Sequence, residues 1–572
     1  MHLPPLLRST LLATALAPAI LMASPALAKA AKTPKPAAGA SPMAAPAAAP
    51  APAGPPHLLI AMAMDQFSAD LFAQYRSHFT GGLARLASGA VFPAGYQSHA
   101  ATETCPGHST LLTGVHPART GIIANTWIDQ SVGRAKKEVY CAEDETREPA
   151  DPKDYVSSVR HLLVPTLGER IKQQWPAARN VSVSGKDRAA LMMGGHVIDQ
   201  VWFWKTKGFV TIDGRPVLPA VDEENAKVTK VLASGAPAMQ LPAFCAAREG
   251  AVKAGSATVG TGHFALTAGD ATAFRASPRL DQATLDLALK LVDAMKLGQG
   301  SVPDLLSVSL SATDYVGHST GTEGPEMCLQ LATVDKALGL FFAALDARGI
   351  DYGVVMSADH GGYDMPERLN LQALPQAARA DANLLPKAIS AAVAAKVGLP
   401  GDGLILGDGA AGDFWVKASL PAADKARVVA AAKDLLAAHP QVAAVFTAAE
   451  LQAAPAPSGS PETWSLLDRA RASYYAPRSG DFVVLLKRGI MAMPSASGGY
   501  VATHGSPWDY DRRVPMLFWR KGMTGFEQPS PVETVDIAPT LSAWINLPAP
   551  EGAYDGRCLD LDPGPGSTCG VK

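Results

Sequence analysis

Several hydroxyl side chains lie next to a predicted helix in the segment SHAATETCPGHSTLLTG, residues 98–114. Pro106 suits the first helical position and Gly114 suits the C-terminal end, so Thr104 lies at the helix mouth. Free backbone N–H groups and the positive end of the helix dipole stabilise an anion there. A hydroxyl at this point could attack phosphorus, although serine and threonine before a helix are more often N-caps. The residues alone do not choose the nucleophile among Thr102, Thr104 and Ser109.

Three apolar runs, each predicted to be a buried strand, end in an aspartate. Because these runs alternate with helical patterns, they predict a mostly parallel sheet with helices on both faces. Ligands bind such sheets at the carboxyl ends of the strands. If the strands are neighbours, three carboxylates converge in one crevice. The runs are HLLIAMAM (57–64), DLLSVSLSAT (304–313) and YGVVMSA (352–358), and the aspartates are Asp65, Asp314 and Asp359.

Three carboxylates in one crevice repel one another unless a cation lies among them. His318 and His360 add imidazole nitrogens close to Asp314 and Asp359, and His504 lies in a glycine-flanked turn, THGSPWDYD. Aspartate and histidine without cysteine are typical of an open, catalytic zinc site. About six ligands predict two ions, which would hold both the attacking and the leaving oxygen of an in-line displacement. Taken singly, each residue is more often a cap, a turn residue or a structural histidine.

Two cations follow a fourth predicted strand, in the segment NVSVSGKDR at 180–188. Lys186 and Arg188 are candidates for binding phosphate oxygens, because arginine can bind two at once. A solvated turn is the commoner arrangement of such charges. The histidines and tryptophans near these motifs are interpreted as structural residues, supports of the site or pocket walls: His99, His108, Trp202 and Trp204.

Composition and the N-terminal residues bound the class of protein. The chain has 572 residues, 48% of them hydrophobic, and a formal net charge of −2, which argues against a general nucleic-acid binder but not against a small anionic substrate. Arg8, an apolar run and a small-residue site ending at Ala28 predict a signal peptide at 1–28 and a periplasmic or secreted protein. A retained N-terminal anchor is the alternative. After cleavage we expect no stable membrane association and no protein partner.

The rest of the chain predicts one large catalytic domain after an Ala/Pro-rich, disordered tether at 29–56. The domain covers 57–572, with insertions at about 189–278 and 384–480. Alternation at 197–215 predicts antiparallel strands, and 216–278 is expected to be irregular. Six cysteines in an exported chain predict disulfides. Proximity in the sequence favours Cys558–Cys569, then Cys105–Cys141, which leaves Cys245–Cys328.

Seven short blocks, in this order, resemble the alkaline phosphatase superfamily: Asp65, TETCPGHSTLLTG, GIIANTW, GKDR, TDYVGHSTG, SADHGGYD and THGSPWDYD. The likeness extends from about residue 57 to the C-terminus. It is closest to the secreted bacterial alkaline phosphatases with a threonine nucleophile, the PhoK-like group. Nucleotide pyrophosphatases and phosphodiesterases share most of the blocks. The resemblance implies an α/β fold with a mostly parallel central sheet between helices, and inserted cap regions.

The resemblance also implies a role for each matching residue. Thr104 would be the nucleophile and Asn125 would donate to a phosphate oxygen. Lys186 and Arg188 would contact the substrate's remaining oxygen, where two cations favour a dianionic monoester over a diester. Two Zn²⁺ ions are implied, and whether Ca²⁺ or Mg²⁺ also binds is left open. One ion would be held by Asp314, His318 and His504, and the other by Asp65, Asp359, His360 and the Thr104 oxygen.

These observations predict a zinc-dependent phosphatase that hydrolyses small phosphate monoesters through a phosphothreonine. A phosphodiesterase or nucleotide pyrophosphatase of the same superfamily is the first alternative. An exported zinc- or phosphate-binding protein without turnover is the second, and Thr104 argues against it because a metal store needs no hydroxyl at a helix end. A sulfatase is disfavoured because its C/S-x-P-x-R signature is absent: Pro106 directly follows Cys105.

Overall fold

The computed structural model describes residues 54–149, 151, 154–372 and 374–570. The predicted signal peptide at 1–28, and residues 29–53 of the predicted tether, lie outside these ranges. The strands in chain order are β1 Leu58–Met64, β2 Ala90–Tyr96, β3 Thr126–Ile128, β4 Glu138–Tyr140, β5 Asn180–Ser184, β6 Gln200–Lys205, β7 Gly208–Val210, β8 Val252–Ala254, β9 Ala257–Val259, β10 Asp304–Leu310, β11 Tyr352–Ser357, β12 Ala378–Arg379, β13 Ile405–Leu406, β14 Gly412–Val416, β15 Val442–Thr447, β16 Phe482–Leu486, β17 Ile490–Met491, β18 Arg513–Arg520, β19 Phe526–Glu527 and β20 Val532–Glu533.

The α-helices pack around and between these strands. In chain order they are α1 Ala69–Tyr75, α2 Gly82–Leu86, α3 Thr104–Thr113, α4 Pro117–Thr120, α5 Leu167–Gln174, α6 Asp187–Gly194, α7 Pro219–Ser234, α8 Ala243–Ala246, α9 Ala271–Arg275, α10 Pro278–Met295, α11 Ala312–Thr320, α12 Pro325–Ala347, α13 Pro366–Leu371, α14 Pro386–Val397, α15 Ala422–Ala437, α16 Ala448–Ala453, α17 Leu466–Ser473, α18 Asp509–Arg512 and α19 Ile537–Trp544.

A ten-stranded sheet forms the centre of the molecule. Its order is β19-β2-β18-β11-β1-β10-β5-β6-β7, and β20 also pairs with β2. The five adjacent strands β11, β1, β10, β5 and β6 run parallel to one another. In this sheet β18 and β7 run in the opposite direction. The predicted mostly parallel sheet is therefore confirmed.

Both faces of this sheet are covered, and β1 shows how. Its seven residues are all buried. Leu58, Ile60 and Met62 pack into a core cluster with α1, α2, α10 and α12. The alternate residues Leu59 and Ala61 pack into a second cluster with α3, α5 and α19 on the other face. Because successive strand side chains point to opposite faces, a strand buried on both sides must be apolar throughout.

The first predicted insertion, 189–278, begins later than expected. The predicted antiparallel strands are β6 and β7, but they extend the main sheet. The region at 216–278, expected to be irregular, contains the 16-residue helix α7. The signal for α7 was weak because few of its side chains, such as Val221 and Val228, are apolar and buried. The chain leaves the sheet after Val210 rather than at about 189.

The second predicted insertion, 384–480, has a sheet and a core of its own. Its four strands are ordered β13-β14-β16-β15, and their pairs are antiparallel. Helices α14 and α15 cover this sheet and contribute to a separate core cluster. The sheet includes β16, so the unit extends a few residues beyond 480.

All three predicted disulfide pairs are present: Cys105–Cys141, Cys245–Cys328 and Cys558–Cys569. Cys245 lies in α8 and Cys328 in α12, so that bridge ties the first insertion to the core. By length and composition, α12 is the one helix among the described residues that could cross a membrane. It is mostly buried within the protein, as expected for a core helix.

Candidate active site

The carboxyl ends of three adjacent parallel strands bring the three predicted carboxylates together. β1 lies between β10 and β11, with Met64 opposite Leu310 and Ala63 opposite Ser357. Each strand is followed by one aspartate: Asp65 after β1, Asp314 in the first turn of α11, and Asp359 just after β11. All three are at most 1% exposed. The sequence could predict this because parallel strands end at the same edge of a sheet.

The described residues contain two groups that could hold a metal ion. One consists of Asp314, His360 and His504, and in it the candidate ligand atoms lie within 4.8 Å of one another. The other consists of Asp65, Asp359 and His108. All the predicted ligand residues belong to one cluster, but the two groups differ from the predicted sets. His360 Nε2 lies 3.5 Å from Asp65 Oδ1 and 3.3 Å from Asp359 Oδ2, so it reaches both groups.

His108 was interpreted as a support of the site, and its contacts agree with that interpretation. Its Nδ1 lies 2.9 Å from the Thr104 carbonyl oxygen and 3.1 Å from Asp359 Oδ2. Its Nε2 lies 2.9 Å from Ser309 Oγ on β10. Both ring nitrogens therefore have polar neighbours, and the imidazole links the start of α3 to the carboxylate cluster.

Three histidines of the cluster are oriented in the same way. The Nδ1 atoms of His318, His360 and His504 each lie 2.8 Å from a backbone carbonyl oxygen. A carbonyl accepts but cannot donate, so these contacts place a proton on Nδ1, and Nε2 is then the lone-pair atom of each ring that is neutral. The Nε2 atoms of His318 and His504 lie 3.3 Å and 3.4 Å from Asp314 Oδ1. A carbonyl behind the imidazole is the support that metal-binding histidines usually have.

Buried polar atoms without hydrogen bonds mark the centre of the cluster. Within the described chain, Asp65 Oδ1, Asp359 Oδ2 and His360 Nε2 make none. Such atoms are costly to bury unless something binds them. Carboxylate oxygen and imidazole nitrogen are ligands of zinc, and every cysteine is in a disulfide. The residues therefore fit divalent metal ions.

The Thr104 hydroxyl is linked to this cluster through Lys186. Thr104 is the first residue of α3, and Glu103 is the N-cap, so the predicted helix start shifts by two residues towards the N-terminus. Its Oγ1 accepts hydrogen bonds from Lys186 Nζ at 3.3 Å and Arg188 Nη2 at 3.4 Å. The hydroxyl contacts cations rather than capping the helix.

The two other candidate nucleophiles have different partners. Thr102 Oγ1 donates to the Ser506 carbonyl at 2.8 Å. Ser109 Oγ donates to the Pro106 carbonyl at 2.7 Å inside α3. Both hydroxyls are held by backbone oxygens, which favours Thr104 as the reactive one.

Lys186 and Arg188 are largely buried and not part of a solvated turn. Lys186, 2% exposed, is the N-cap of α6. Its Nζ lies 2.6 Å from Asp65 Oδ2 and 2.6 Å from Asp314 Oδ2. The expectation for Lys186 was a contact with substrate oxygen, and the structure adds these two carboxylates. Opposite charges explain the arrangement, because the ammonium partly neutralises the two acidic groups.

Asn125 is held so that its amide donor remains available. Its side-chain Oδ1 accepts a hydrogen bond from the Cys105 backbone N–H at 2.8 Å, and the Asn125 backbone N–H donates to Glu103 Oε2 at 2.7 Å. Because Oδ1 accepts this hydrogen bond, the orientation of the side-chain amide is assigned, and its Nδ2 remains available as a donor. The Cys105–Cys141 disulfide fixes the residue that follows Thr104 to the end of β4.

A cavity of about 320 Å³ opens onto the cluster. Glu103, Asn125 and His504 line one side. Asp408 and Trp415, from the second insertion, line the other. The inserted unit therefore forms a wall of the site, as the predicted cap region would.

Comparison with known proteins identifies the family. The family model described as type I phosphodiesterase / nucleotide pyrophosphatase matches residues 59–507. The chain is 54% identical over 520 residues to alkaline phosphatase PhoK of Sphingomonas sp, covering 90% of this chain and 93% of the relative. It is 50% identical to alkaline phosphatase PhoD of Zymomonas mobilis, covering 90% of both.

The chain belongs to the alkaline phosphatase superfamily. The crystal structure of wild-type alkaline phosphatase PafA matches with a TM-score of 0.77 and 25% identity, covering 89% of this chain and 99% of that one. The predicted superfamily and fold are confirmed, and the chain is an enzyme of the phosphoric monoester hydrolase class. A binding protein without turnover is thereby excluded.

The charges of this superfamily member's site suit metal binding at neutral pH. Burial lowers the pKa of His318 to about 4 and that of His360 to about 3, so both imidazoles are neutral. Burial alone would raise the pKa of Asp314, but His318 and Lys186 hold it well below its ordinary value. Burial and the neighbouring Asp359 raise the pKa of Asp65. A divalent cation would favour the charged form of both carboxylates.

Gln66 is a further residue of the site, and it was not predicted from the sequence. Its backbone N–H donates to Asp359 Oδ1 at 3.2 Å, and its Nε2 donates to Asp314 Oδ1 at 3.1 Å. It is buried and has a φ of 65°, which is rare for a residue other than glycine. A polar residue directly after Asp65 was the available signal.

Two tyrosines near Arg188 were also missed. Tyr140 and Tyr155 donate their hydroxyls to Asp187 at 2.8 Å and 2.6 Å. Arg188 Nη1 in turn donates to Tyr140 at 3.4 Å. These contacts order the segment that carries both cations. They come from distant parts of the chain, so no local pattern predicts them.

Proposed function

We propose that this enzyme is a zinc-dependent alkaline phosphatase that hydrolyses phosphate monoesters through a phosphothreonine at Thr104. One observation carries the proposal: the Thr104 hydroxyl lies at the N-terminus of α3 and contacts Lys186 and Arg188, and Lys186 also contacts two carboxylates of the cluster. A helix N-terminus favours the negative charge of a phosphoryl group. The names of the relatives at 54% and 50% identity support the same activity.

The proposed metal is zinc, because the ligands are aspartate and histidine with fixed lone pairs. When bound, two zinc ions supply Lewis acidity that activates the hydroxyl and stabilises the leaving oxygen. The neutral His318 and His360, and the contacts of all three Nδ1 atoms with backbone carbonyls, support this choice. One ion would be held by Asp314, His318 and His504, and the other by Asp65, Asp359, His360 and Thr104.

The side chains of the protein would act in the following order. The Thr104 oxygen attacks phosphorus in line, and the bond from phosphorus to the ester oxygen breaks as the new one forms. The N-terminus of α3, Asn125 Nδ2 and the two cations stabilise the charge on the phosphoryl oxygens. Water then cleaves the phosphothreonine and regenerates the hydroxyl. Two inversions give net retention at phosphorus.

The charge next to Thr104 favours monoesters over diesters. A monoester is a dianion with three non-bridging oxygens, whereas a diester has an organic group where Lys186 and Arg188 would reach. The description of the matching family keeps phosphodiesterase or nucleotide pyrophosphatase as the second candidate. Both activities are measured with p-nitrophenyl phosphate and bis-p-nitrophenyl phosphate. Lys186→Ala/Arg188→Ala should lower kcat/KM mainly for the monoester, and an equal loss for both esters would contradict the assignment.

The nucleophile is tested with two matched threonine variants. Thr104→Ala should abolish turnover and the acid-stable phosphoprotein while metal content stays measurable. Thr102→Ala removes a hydroxyl of the same type that is bonded to the Ser506 carbonyl, so it should keep most activity. If Thr102→Ala were inactive and Thr104→Ala active, the assignment would be wrong.

Export of the enzyme is the remaining part of the proposal. Three disulfides fit an oxidising compartment, which supports a periplasmic or secreted location. A signal peptide at 1–28 would be removed and 29–56 would remain as a tether. N-terminal sequencing of the exported protein should find Lys29 first, and a start at Met1 would refute cleavage.

A further inference from the structure

A second cavity lies behind the two cations of the site. It has a volume of about 420 Å³ and is separate from the first cavity, which Asn125, His504 and the second insertion line. Four of its lining residues are cationic: Lys186, Arg188, Lys205 and Arg275. Asp187 is the one carboxylate in the lining, so positive charge dominates.

The carboxylate of this lining is already engaged. Asp187 accepts hydrogen bonds from the hydroxyls of Tyr140 and Tyr155 and from the Arg188 backbone N–H. Lys205 has a carboxylate partner outside the lining, because its Nζ lies 2.5 Å from Asp154. The two arginines retain unused donors. Arg188 Nε and Arg275 Nε are buried and make no hydrogen bond within the described part of the chain.

Tyr315 connects this cavity to the reactive centre. The Arg275 guanidinium lies 4.4 Å and the Lys186 Nζ 5.1 Å from the centroid of its ring. Lys186 and Arg188 also contact the Thr104 hydroxyl. An anion in the cavity would therefore lie beside the phosphoryl group that Thr104 attacks.

We propose that this cavity is an anion subsite, which binds an oxyanion group in addition to the phosphoryl group attacked by Thr104. Buried arginine donors without partners are suited to phosphate or carboxylate oxygens. The oxyanion is either a second phosphate of the substrate or free phosphate. The inference rests on the proposed function only in placing the subsite beside a phosphomonoester centre.

Matched substrates test whether the oxyanion is a second phosphate of the substrate. Alkanediol bisphosphates of increasing length are compared with alkyl monophosphates of the same length. The wild type should favour one bisphosphate by about tenfold in kcat/KM, after correction for its two equivalent phosphates, because each charge-assisted hydrogen bond contributes about that factor. Arg275→Gln should remove this preference and leave the alkyl monophosphate unchanged.

Inorganic phosphate tests the second source. If free phosphate is the ligand, kcat/KM should not favour a bisphosphate of any length over the matching alkyl monophosphate. Inorganic phosphate should then inhibit alkyl phosphate hydrolysis with a non-competitive component that Arg275→Gln removes. Lys207→Gln is the matched control, because Lys207 is exposed on the same hairpin as Lys205 and does not line the cavity. It should change neither measurement.

The outcomes separate the subsite from the proposed function. Unchanged ester preference and unchanged phosphate inhibition in both Arg275→Gln and Lys205→Gln would overturn the subsite. A wild type that does not hydrolyse alkyl phosphates would overturn the proposed function instead. Calorimetric titration with inorganic phosphate would then still test the subsite. Arg275→Gln should bind phosphate more weakly than both the wild type and Lys207→Gln. Should Arg275→Gln fail to fold, Lys205→Gln carries the same measurements.

Discussion

Gln66 links the two candidate metal groups, and its replacement tests whether that link matters. The backbone N–H holds Asp359 and the side-chain amide holds Asp314, so alanine removes one hydrogen bond and keeps the other. The amide also packs closely against Gly317 and Gly362, which leave room for it by having no side chains. Gln66→Ala therefore removes a support of one ligand without changing any ligand.

The structure sets the size of the effect. A hydrogen bond to a charged acceptor contributes about 1.5–3 kcal/mol, and losing a support of a metal ligand costs about 10- to 100-fold in affinity. We expect Gln66→Ala to raise the zinc Kd by that factor. Because alanine keeps the strain of a positive φ and glycine does not, Gln66→Gly should be about 1 kcal/mol more stable than Gln66→Ala. Both variants should lose the same affinity for zinc.

Competition with a chromogenic zinc chelator measures the affinity, and urea unfolding of the metal-free protein measures stability. Gln74→Ala is the matched control, because Gln74 Nε2 also donates to a carboxylate, Glu323, at 3.1 Å, but away from the site. Wild-type zinc affinity in both Gln66 variants would refute the reasoning. An equal loss in Gln74→Ala would do the same.

Two further predictions concern stability. Removing the Cys105–Cys141 disulfide, which spans 36 residues, should cost about 4 kcal/mol and lower activity, because Cys105 follows Thr104. Removing Cys558–Cys569, which spans 11 residues, should cost about 3 kcal/mol and leave activity unchanged in a phosphatase assay. Burial lowers the pKa of His99 to about 3, so the unfolded chain binds a proton there as the pH falls below about 6.5 and the folded chain does not. Stability from this residue is therefore full above pH 7 and lower by about 2 kcal/mol near pH 5. In urea unfolding at both pH values, His99→Gln should make the difference between them about 2 kcal/mol smaller than in the wild type, and an unchanged difference would contradict the prediction.

The sequence predicted the fold well where the chain is apolar on both faces of the sheet. Runs such as β1 and β10 leave few alternatives to a central parallel strand, and their order limits where the following aspartates lie. Prediction from the sequence failed for elements that bury only one of their faces. The helix α7 is largely exposed, and β6 and β7 resembled an inserted hairpin, because a local pattern does not reveal which strand they pair with.

The candidate site divides in a similar way. Residue types and short blocks identified Asp65, Asp314, Asp359 and the cations, since their spacing follows from strand ends. The ligand groups, the partners of Lys186, and the positions of Gln66 and Tyr140 depend on contacts between residues far apart in the chain. Such contacts leave no periodic signal.

By itself, the sequence determined a parallel α/β sheet, the edge at which its acidic residues meet, and the pairing of its cysteines. Apolar strand runs and the rule that parallel strands end together are enough for the sheet and its edge, and proximity along the chain predicted the cysteine pairs. Only the tertiary structure decided which hydroxyl faces the cations, which imidazole nitrogens carry protons, and that a second basic cavity lies behind Lys186 and Arg188. Those features depend on distances of a few ångströms between segments hundreds of residues apart, and packing alone sets such distances.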